Sequence, residues 1–229
     1  MRPGALEVLC DFDGTIARTD TVDLVLDRLA DPAWRRLEDA WIRGEIDSRA
    51  CMAGQLALVR GGWSAVSRVL QDVALDPTFA PFVAWCRAHA IPLRIASEGV
   101  DRFIHHLLAR DGIVVDGVWA SRLVEHADGR FTLRFPRTKH PTTCGAAFCK
   151  CALGAEPTPR RIRVLIGDGR SDFCCAARVD LVFACSKLAI HCEQNEIPFV
   201  PFECFDGVAR ELGAWRQATV ADAALSPAS

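Results

Sequence analysis

An excess of charge of one sign and long apolar runs are both missing from this sequence. Its 229 residues hold 27 Lys and Arg against 29 Asp and Glu, which leaves a formal net charge of -2. This balance provides no electrostatic attraction for a polyanion, so we expect no nucleic-acid partner. Charged residues also interrupt every hydrophobic run before it approaches the ~20 apolar residues that a membrane span needs. We therefore expect no insertion into a membrane.

The N-terminal residues lack the features of a secretory signal. Only about five apolar residues precede Asp11, whereas a signal peptide needs roughly 7 to 15. This predicts a cytoplasmic protein, in which the 11 cysteines are expected to be reduced thiols and not a disulfide framework. One group of side chains could instead hold a structural zinc ion, although its spacing is irregular compared with paired C-x2-C sites. That group comprises His140, Cys144, Cys149 and Cys151.

The composition suits a large core, because 50% of the residues are hydrophobic and 24% are charged. At this length we expect one substantial domain. Short apolar runs predict four buried parallel strands, at 6–10, 91–96, 163–166 and 181–184. Helical patterns separate them, and Asp128-Gly129 predicts a hairpin. The sequence therefore predicts an α/β fold, a Rossmann-like parallel sheet with helices on both faces.

A block of helical spacing interrupts this alternation after the first strand. From Asp20 to Asp72 the apolar residues recur with helical periodicity and without a convincing strand. We predict a discontinuous catalytic core at 1–18 and 76–216, with a helical cap at 19–75. Residues 217–229 are rich in Ala and Ser without an apolar period, which predicts a flexible tail.

Polar side chains cluster where the predicted strands end, the edge at which open parallel sheets bind ligands. Either aspartate cluster alone would be a helix cap or a turn in about half of cases. Together the set provides carboxylates for Mg²⁺, a nucleophile and donors for phosphate oxygens, which phosphoryl transfer requires. The residues are Asp11, Asp13, Ser97, Lys150, Asp168 and Asp172.

These residues carry a resemblance to a known family. Asp11-Phe12-Asp13-Gly14-Thr15, Ser97, Lys150 and Gly167-Asp168-Gly169 with Asp172 resemble the four motifs of the haloacid dehalogenase superfamily. The resemblance covers residues 8–215, and the position of the helical block is similar to the phosphoserine phosphatase branch. Residues 135–150 and 192–212 resemble the 2-hydroxy-3-keto-5-methylthiopentenyl-phosphate phosphatases of methionine salvage.

The resemblance implies a mechanism and a substrate class. Asp11 would attack phosphorus to form an aspartyl-phosphate, and Asp13 would protonate the leaving group and then activate water. Mg²⁺ would be held by Asp11, the Asp13 carbonyl and Asp168, with Asp172 orienting its shell. The phosphoryl oxygens would bind to the remaining two residues, Ser97 and Lys150. A small phosphate ester is the expected substrate, and the protein is expected to be a monomer or a homodimer.

The cap is expected to determine the substrate specificity. Asp20 stands where phosphoserine phosphatases have a Glu facing the substrate amine. Gln55 stands where they have an Arg that binds the carboxylate, and Gln cannot form that bidentate charged pair. Arg49 could compensate from the adjacent turn, although an exposed surface position is the more common one for an arginine. Glu98 occupies a position where Gly commonly follows the motif serine; it could belong to a helix N-terminus or repel anionic substrates.

Three hypotheses remain open at this point. The first is a Mg²⁺-dependent phosphomonoesterase of methionine salvage or a related phosphometabolite. The second keeps the chemistry but changes the substrate to phosphoserine, phosphoethanolamine or phosphocholine, and depends on whether Gln55 and Arg49 face the pocket. The third is a zinc- or redox-responsive binding protein with a vestigial phosphatase core. It is disfavoured by the intact motif residues Asp11, Asp13, Lys150 and Asp168.

Overall fold

A sheet of seven strands organises the protein, in the order β4-β3-β2-β1-β5-β6-β7. The structure is a computed structural model that describes residues 5–136, 147–148, 150 and 161–225. The strands are β1 (Leu6–Cys10), β2 (Leu93–Val100), β3 (Gly117–Glu125), β4 (Phe131–Arg134), β5 (Ile162–Gly167), β6 (Leu181–Ala184) and β7 (Val200–Pro201). Neighbouring strands are parallel except β3 and β4, which form the predicted antiparallel hairpin.

Helices cover both faces of this sheet. They are α1 (Thr21–Leu29), α2 (Trp34–Ile42), α3 (Ser48–Ala57), α4 (Gly62–Leu70), α5 (Phe79–Ala88), α6 (Asp101–Arg110), α7 (Phe173–Ala176), α8 (Ser186–Gln194) and α9 (Phe205–Leu225). The architecture confirms the predicted α/β fold.

The first strand lies at the centre of the sheet and contacts the core on both sides. Val8 and Cys10 belong to the larger hydrophobic cluster, with the buried residues of α5, α6 and α9. Leu9, between them, belongs to a second cluster with residues of α7 and α8. Parallel strands covered on both faces are expected to be almost continuously apolar. The run that ends at Cys10 therefore delivers Asp11 to the middle of the sheet edge.

The predicted helical block forms α1 to α4, between β1 and α5. We call residues 19–75 the cap. Asp20 starts α1 as its N-cap, because its carboxylate accepts the N–H groups of Val22 and Asp23 at 2.9 Å. Val25 and Leu26 of α1 are fully buried in the main cluster, so the cap packs against the core.

Two local predictions differ from the structure. Ser97 was expected to follow the second strand, but β2 continues to Val100 because its pairing with β3 resumes there after a register shift. The flexible tail was expected from residue 217, but α9 continues to Leu225. The Ala-rich stretch has high helix propensity and extends a helix that has already begun.

Within the described ranges, no helix combines the length and apolarity needed to cross a bilayer.

Candidate active site

A cavity of about 470 Å³ lies between the cap and the carboxyl ends of β1, β2 and β5. The core wall carries five of the residues predicted from the sequence motifs: Asp11, Asp13, Ser97, Asp168 and, behind them, the buried Asp172. The cap wall carries Asp20, Asp23, Glu38, Trp41 and Gln55. The structure thus brings together residues that are widely separated along the chain.

A buried ion-pair triad stands behind the core wall. The ammonium nitrogen of Lys150 lies 2.7 Å from Oδ2 of Asp11 and 2.6 Å from Oδ1 of Asp172. Lys150 and Asp172 are fully buried, and Asp11 is only 5% exposed. Removing one partner from such a group typically costs about 3 to 5 kcal/mol, because it leaves an uncompensated buried charge.

The protonation of this triad is governed by opposing effects. Burial disfavours the ammonium charge of Lys150, but the carboxylates of Asp11 and Asp172 outweigh it and raise the pKa of the lysine. Burial raises the pKa of Asp172, whereas the Lys150 charge lowers it. The lysine therefore remains charged and compensates the carboxylates around it.

Three carboxylates converge in a way that suits a divalent cation. Oxygen atoms of Asp11, Asp168 and Asp172 all lie within 4.8 Å of one another. Burial and the Asp11 charge raise the pKa of Asp168 to about 6. A hard cation such as Mg²⁺ prefers carboxylate oxygens and would relieve the repulsion between them.

The backbone in front of this cluster has little room for side chains. Gly14 has a φ of +76°, a conformation that favours glycine. A Cβ atom at this position would also collide with the carboxylate of Asp168. The glycine of the first motif therefore both forms the turn and lets that carboxylate approach.

Asp13 and Ser97 meet on either side of a glycine. Oδ1 of Asp13 accepts the N–H of Thr21 at 2.8 Å, and the Gly99 N–H donates to Oγ of Ser97 at 2.9 Å. A Cβ atom at Gly99 would lie 2.6 Å from Oδ2 of Asp13. Burial and the nearby Asp20 carboxylate raise the pKa of Asp13 well above its usual range. Gly99 was not predicted from the sequence, although a glycine two residues after the motif serine was visible.

Besides Asp20, the two other cap residues predicted to contact substrate have different environments. Gln55 is 3% exposed, lines the cavity and donates from Nε2 to Oε2 of Glu38 at 2.9 Å. Arg49 instead donates from Nε to the carbonyl oxygen of Ala147 at 3.2 Å. A role for Arg49 in compensating for Gln55 stays a prediction, since its described hydrogen bond goes to the core.

Glu98 contacts the segment that leads to Lys150. Its Oε1 accepts the N–H of Ala147 at 2.6 Å, the residue whose carbonyl also binds Arg49. Burial raises the pKa of Glu98. Neither role considered from sequence anticipated this contact, which links the strand of Ser97 to the lysine segment.

Glu38 was missed by the sequence analysis. It lies on α2 between Trp34 and Trp41, at helical spacing from both, so it falls on the apolar side of its helix. A charged residue among the apolar residues on one face of a helix was the sequence feature that could have revealed it. Only the packing of α2 on α3 shows that its partner is Gln55.

The four residues proposed to hold zinc all lie outside the described residues. Among the described residues, Cys10, Cys51, Cys86 and Cys192 are buried and lie outside any disulfide.

The fold and the acidic sheet edge define a class of protein. The family model of the haloacid dehalogenase-like hydrolases matches residues 8–177. The chain belongs to this family.

Two named relatives and one solved structure match most of this chain. The chain is 28% identical over 220 residues to a 2-hydroxy-3-keto-5-methylthiopentenyl-1-phosphate phosphatase of Brevibacillus brevis, covering 94% of this chain and 98% of the relative. It is also 28% identical over 216 residues to the Pdp3-interacting factor 1 of Schizosaccharomyces pombe, covering 90% of this chain and 94% of that protein. A phosphoserine phosphatase with a phospho-aspartyl intermediate analogue shares the fold, with a TM-score of 0.66 and 16% identity, over 91% of this chain and 99% of its own.

Proposed function

We propose that the protein is a Mg²⁺-dependent phosphomonoesterase that forms an aspartyl-phosphate on Asp11. The observation that carries this proposal is the position of the Asp11 carboxylate at the end of the central strand. There it lines the cavity while its Oδ2 is paired with the buried Lys150. A nucleophile needs this combination of access to substrate and fixed orientation. Relatives named as phosphatases along nearly the whole chain support the same activity.

The residues of the core wall account for both steps of the reaction. In the first step, an oxygen of Asp11 bonds to phosphorus, the ester P–O bond breaks, and Asp13 gives its proton to the leaving oxygen. In the second step, Asp13 takes a proton from water, whose oxygen bonds to the same phosphorus. The bond between Asp11 and phosphorus then breaks, which releases inorganic phosphate and restores the carboxylate.

The hydrogen bonds of Asp13 suit a group that exchanges protons. The Thr21 N–H holds Oδ1, so Oδ2 is the oxygen left beside Gly99 for the leaving group. Ser97 lies across that glycine with its hydroxyl at the same edge, where it can donate to a phosphoryl oxygen.

Asp11 and Asp168 of the carboxylate cluster are the residues that would hold Mg²⁺, together with the Asp13 carbonyl, and Asp172, paired with Lys150, would orient them. When bound, the ion supplies positive charge that offsets the repulsion between the nucleophile and a phosphate dianion. Thr15 hydrogen-bonds Oδ1 of Asp168 at 3.2 Å and so orients one of the ligands.

The substrate we propose is 2-hydroxy-3-keto-5-methylthiopentenyl-1-phosphate. Several relatives that bear this substrate in their names are 24 to 28% identical over most of the chain. The cavity includes Val22, Trp41 and Met52 on its cap side, which offers apolar contact for a methylthio tail.

The test is hydrolysis by the purified protein, with phosphate release measured against Mg²⁺ concentration. We expect hydrolysis of p-nitrophenyl phosphate and of the methionine-salvage ester, loss of activity in EDTA and recovery with Mg²⁺. Asp11→Asn is the control for a contaminating phosphatase. Phosphate release that persists in EDTA or in Asp11→Asn would contradict the proposal.

A further inference from the structure

The cap wall contains an arrangement that the hydrolytic chemistry does not use. Glu38 on α2 and Gln55 on α3 both line the cavity, facing the edge that carries Asp11 and Asp13. Phosphoryl transfer at that edge directs the leaving group of the substrate into the remaining space. The two residues are therefore placed to contact the leaving group.

The orientation of the Gln55 amide follows from its partner. Its Nε2 donates to Oε2 of Glu38 at 2.9 Å, and the reversed amide would place two oxygens against each other. The amide oxygen of this residue accepts no hydrogen bond from the described residues and is not among their fully buried atoms that lack a partner, so it is open to the cavity. An acceptor that is open to the cavity can take a hydrogen bond from a donor on the substrate.

One carboxylate oxygen of Glu38, Oε2, is likewise held by polar contacts. Besides Gln55, the Cys51 thiol approaches the same Oε2 at 3.8 Å, whereas Oε1 has no hydrogen-bond partner within the described ranges. The Gln55 amide thus holds one oxygen of the Glu38 carboxylate and leaves the other for a ligand.

The charges nearby have the same sign as Glu38. Asp20 and Asp23 line the same wall, while the basic residues at the cavity, Arg170 and Lys187, are exposed at its margin. A ligand group that donates hydrogen bonds is favoured here, and one that also carries positive charge is favoured further.

We infer that Glu38 and Gln55 form a subsite for a hydrogen-bond donor on the leaving group of the phosphate ester. A hydroxyl or a primary ammonium satisfies both acceptors, and a carboxylate next to them is repelled. This inference rests on the proposed phosphatase activity and deepens it, because it names the feature by which the enzyme selects among small esters.

Three esters of matched size test the subsite. They are 2-aminoethyl phosphate, 2-hydroxyethyl phosphate and ethyl phosphate, which differ only in the group at the second carbon. We expect the kcat/KM of the wild-type protein to fall in that order, with the ammonium ester about ten-fold or more above ethyl phosphate. The difference should lie mainly in KM, because the subsite is remote from the reacting phosphorus.

Two variants separate the roles of the residues. Glu38→Gln keeps the shape and an acceptor but removes the charge, so it should lower kcat/KM for the ammonium ester about ten-fold more than kcat/KM for ethyl phosphate. Gln55→Leu removes the hydrogen bond that holds Glu38, so it should lower kcat/KM for both donor-bearing esters more than kcat/KM for ethyl phosphate. Glu45→Gln is the matched control, since Glu45 is an exposed cap residue paired with Arg43. It should alter none of the three esters.

The possible failures are distinguishable. The subsite is overturned if wild-type protein hydrolyses ethyl phosphate as well as the other two esters. It is also overturned if Glu38→Gln, shown by circular dichroism to be folded, lowers all three rates equally. A wild-type protein that hydrolyses neither these esters nor p-nitrophenyl phosphate in Mg²⁺ overturns the phosphatase activity itself, and the subsite with it.

Discussion

The two walls of the cavity bring their side chains together by different means. On the core wall, β1 and β5 pair in register from Leu6 and Ile162 to Cys10 and Ile166. Asp11 and Asp168 follow these neighbouring strand ends and must therefore meet. On the cap wall, contributions come from three helices, and the contact between Glu38 and Gln55 depends on how α2 packs on α3.

This difference has a consequence for function. A wall fixed by strand register holds groups in the geometry that bond making requires, for every substrate. In a wall made by helix packing, residues can be substituted while the sheet edge stays intact. We therefore expect core substitutions to reduce activity toward all esters, whereas cap substitutions alter the preference among them.

The largest effect is expected for Asp11→Asn. The amide keeps the shape of the side chain but is a poor nucleophile, so kcat should fall by at least about a thousand-fold on every ester. The thermal unfolding midpoint serves as the check on folding. Retention of more than about 1% of wild-type activity would exclude Asp11 as the nucleophile.

Asp13→Asn should have the next largest effect. Loss of a proton-transfer group typically costs about 10² to 10⁴-fold, and the loss should depend on the leaving group. We expect first-turnover release to be slowed strongly for an alkyl ester and less for p-nitrophenyl phosphate, whose leaving group needs no proton. Equal slowing of both in rapid-quench measurements would remove Asp13 from the first step.

Gly99→Ala tests whether the core wall tolerates a methyl group. Because the added Cβ would lie 2.6 Å from Oδ2 of Asp13, the carboxylate must move, which we expect to lower kcat about 10²-fold. Gly117→Ala in the neighbouring strand is the control, as its added Cβ would lie 3.8 Å from the Arg94 side chain, an ordinary contact. Similar activity in the two variants would show that Asp13 is not confined as described.

The smallest effect is expected on the cap wall, from Gln55→Arg. An arginine would pair with Glu38 and add donors for a carboxylate, so the kcat/KM ratio of phosphoserine to 2-aminoethyl phosphate should rise about ten-fold. Gln71→Arg, at an exposed cap position outside the cavity, should leave the ratio unchanged. An unaltered ratio in Gln55→Arg would indicate that residue 55 does not face the leaving group.

The core wall could be predicted from sequence because short-range patterns determine it. An apolar run that ends at Asp11, and another that ends before Asp168, are enough to place both carboxylates at one edge of a parallel sheet. Ser97 was located at the right edge even though it lies within β2 and not after it. The error arose because the pairing of β2 with β3 is a long-range contact.

The cap wall could be predicted only in outline. Helical spacing revealed the helices, but it did not reveal that Glu38 is the partner of Gln55 or that Arg49 binds the Ala147 carbonyl. Those contacts depend on the angle and register between helices, which many sequences satisfy in several ways. The extension of α9 was missed for a related reason, since a segment without an apolar period can still continue an existing helix.

The covalent intermediate on Asp11 is the central claim, and trapping it is the most direct test. During turnover of a ³²P-labelled phosphate ester in Mg²⁺, the protein is quenched in acid, digested and analysed by mass spectrometry. We predict label on the peptide that contains Asp11, more of it in Asp13→Asn with p-nitrophenyl phosphate, and none in Asp11→Asn. Turnover without labelled protein, or label confined to another residue such as Ser97, would contradict the account.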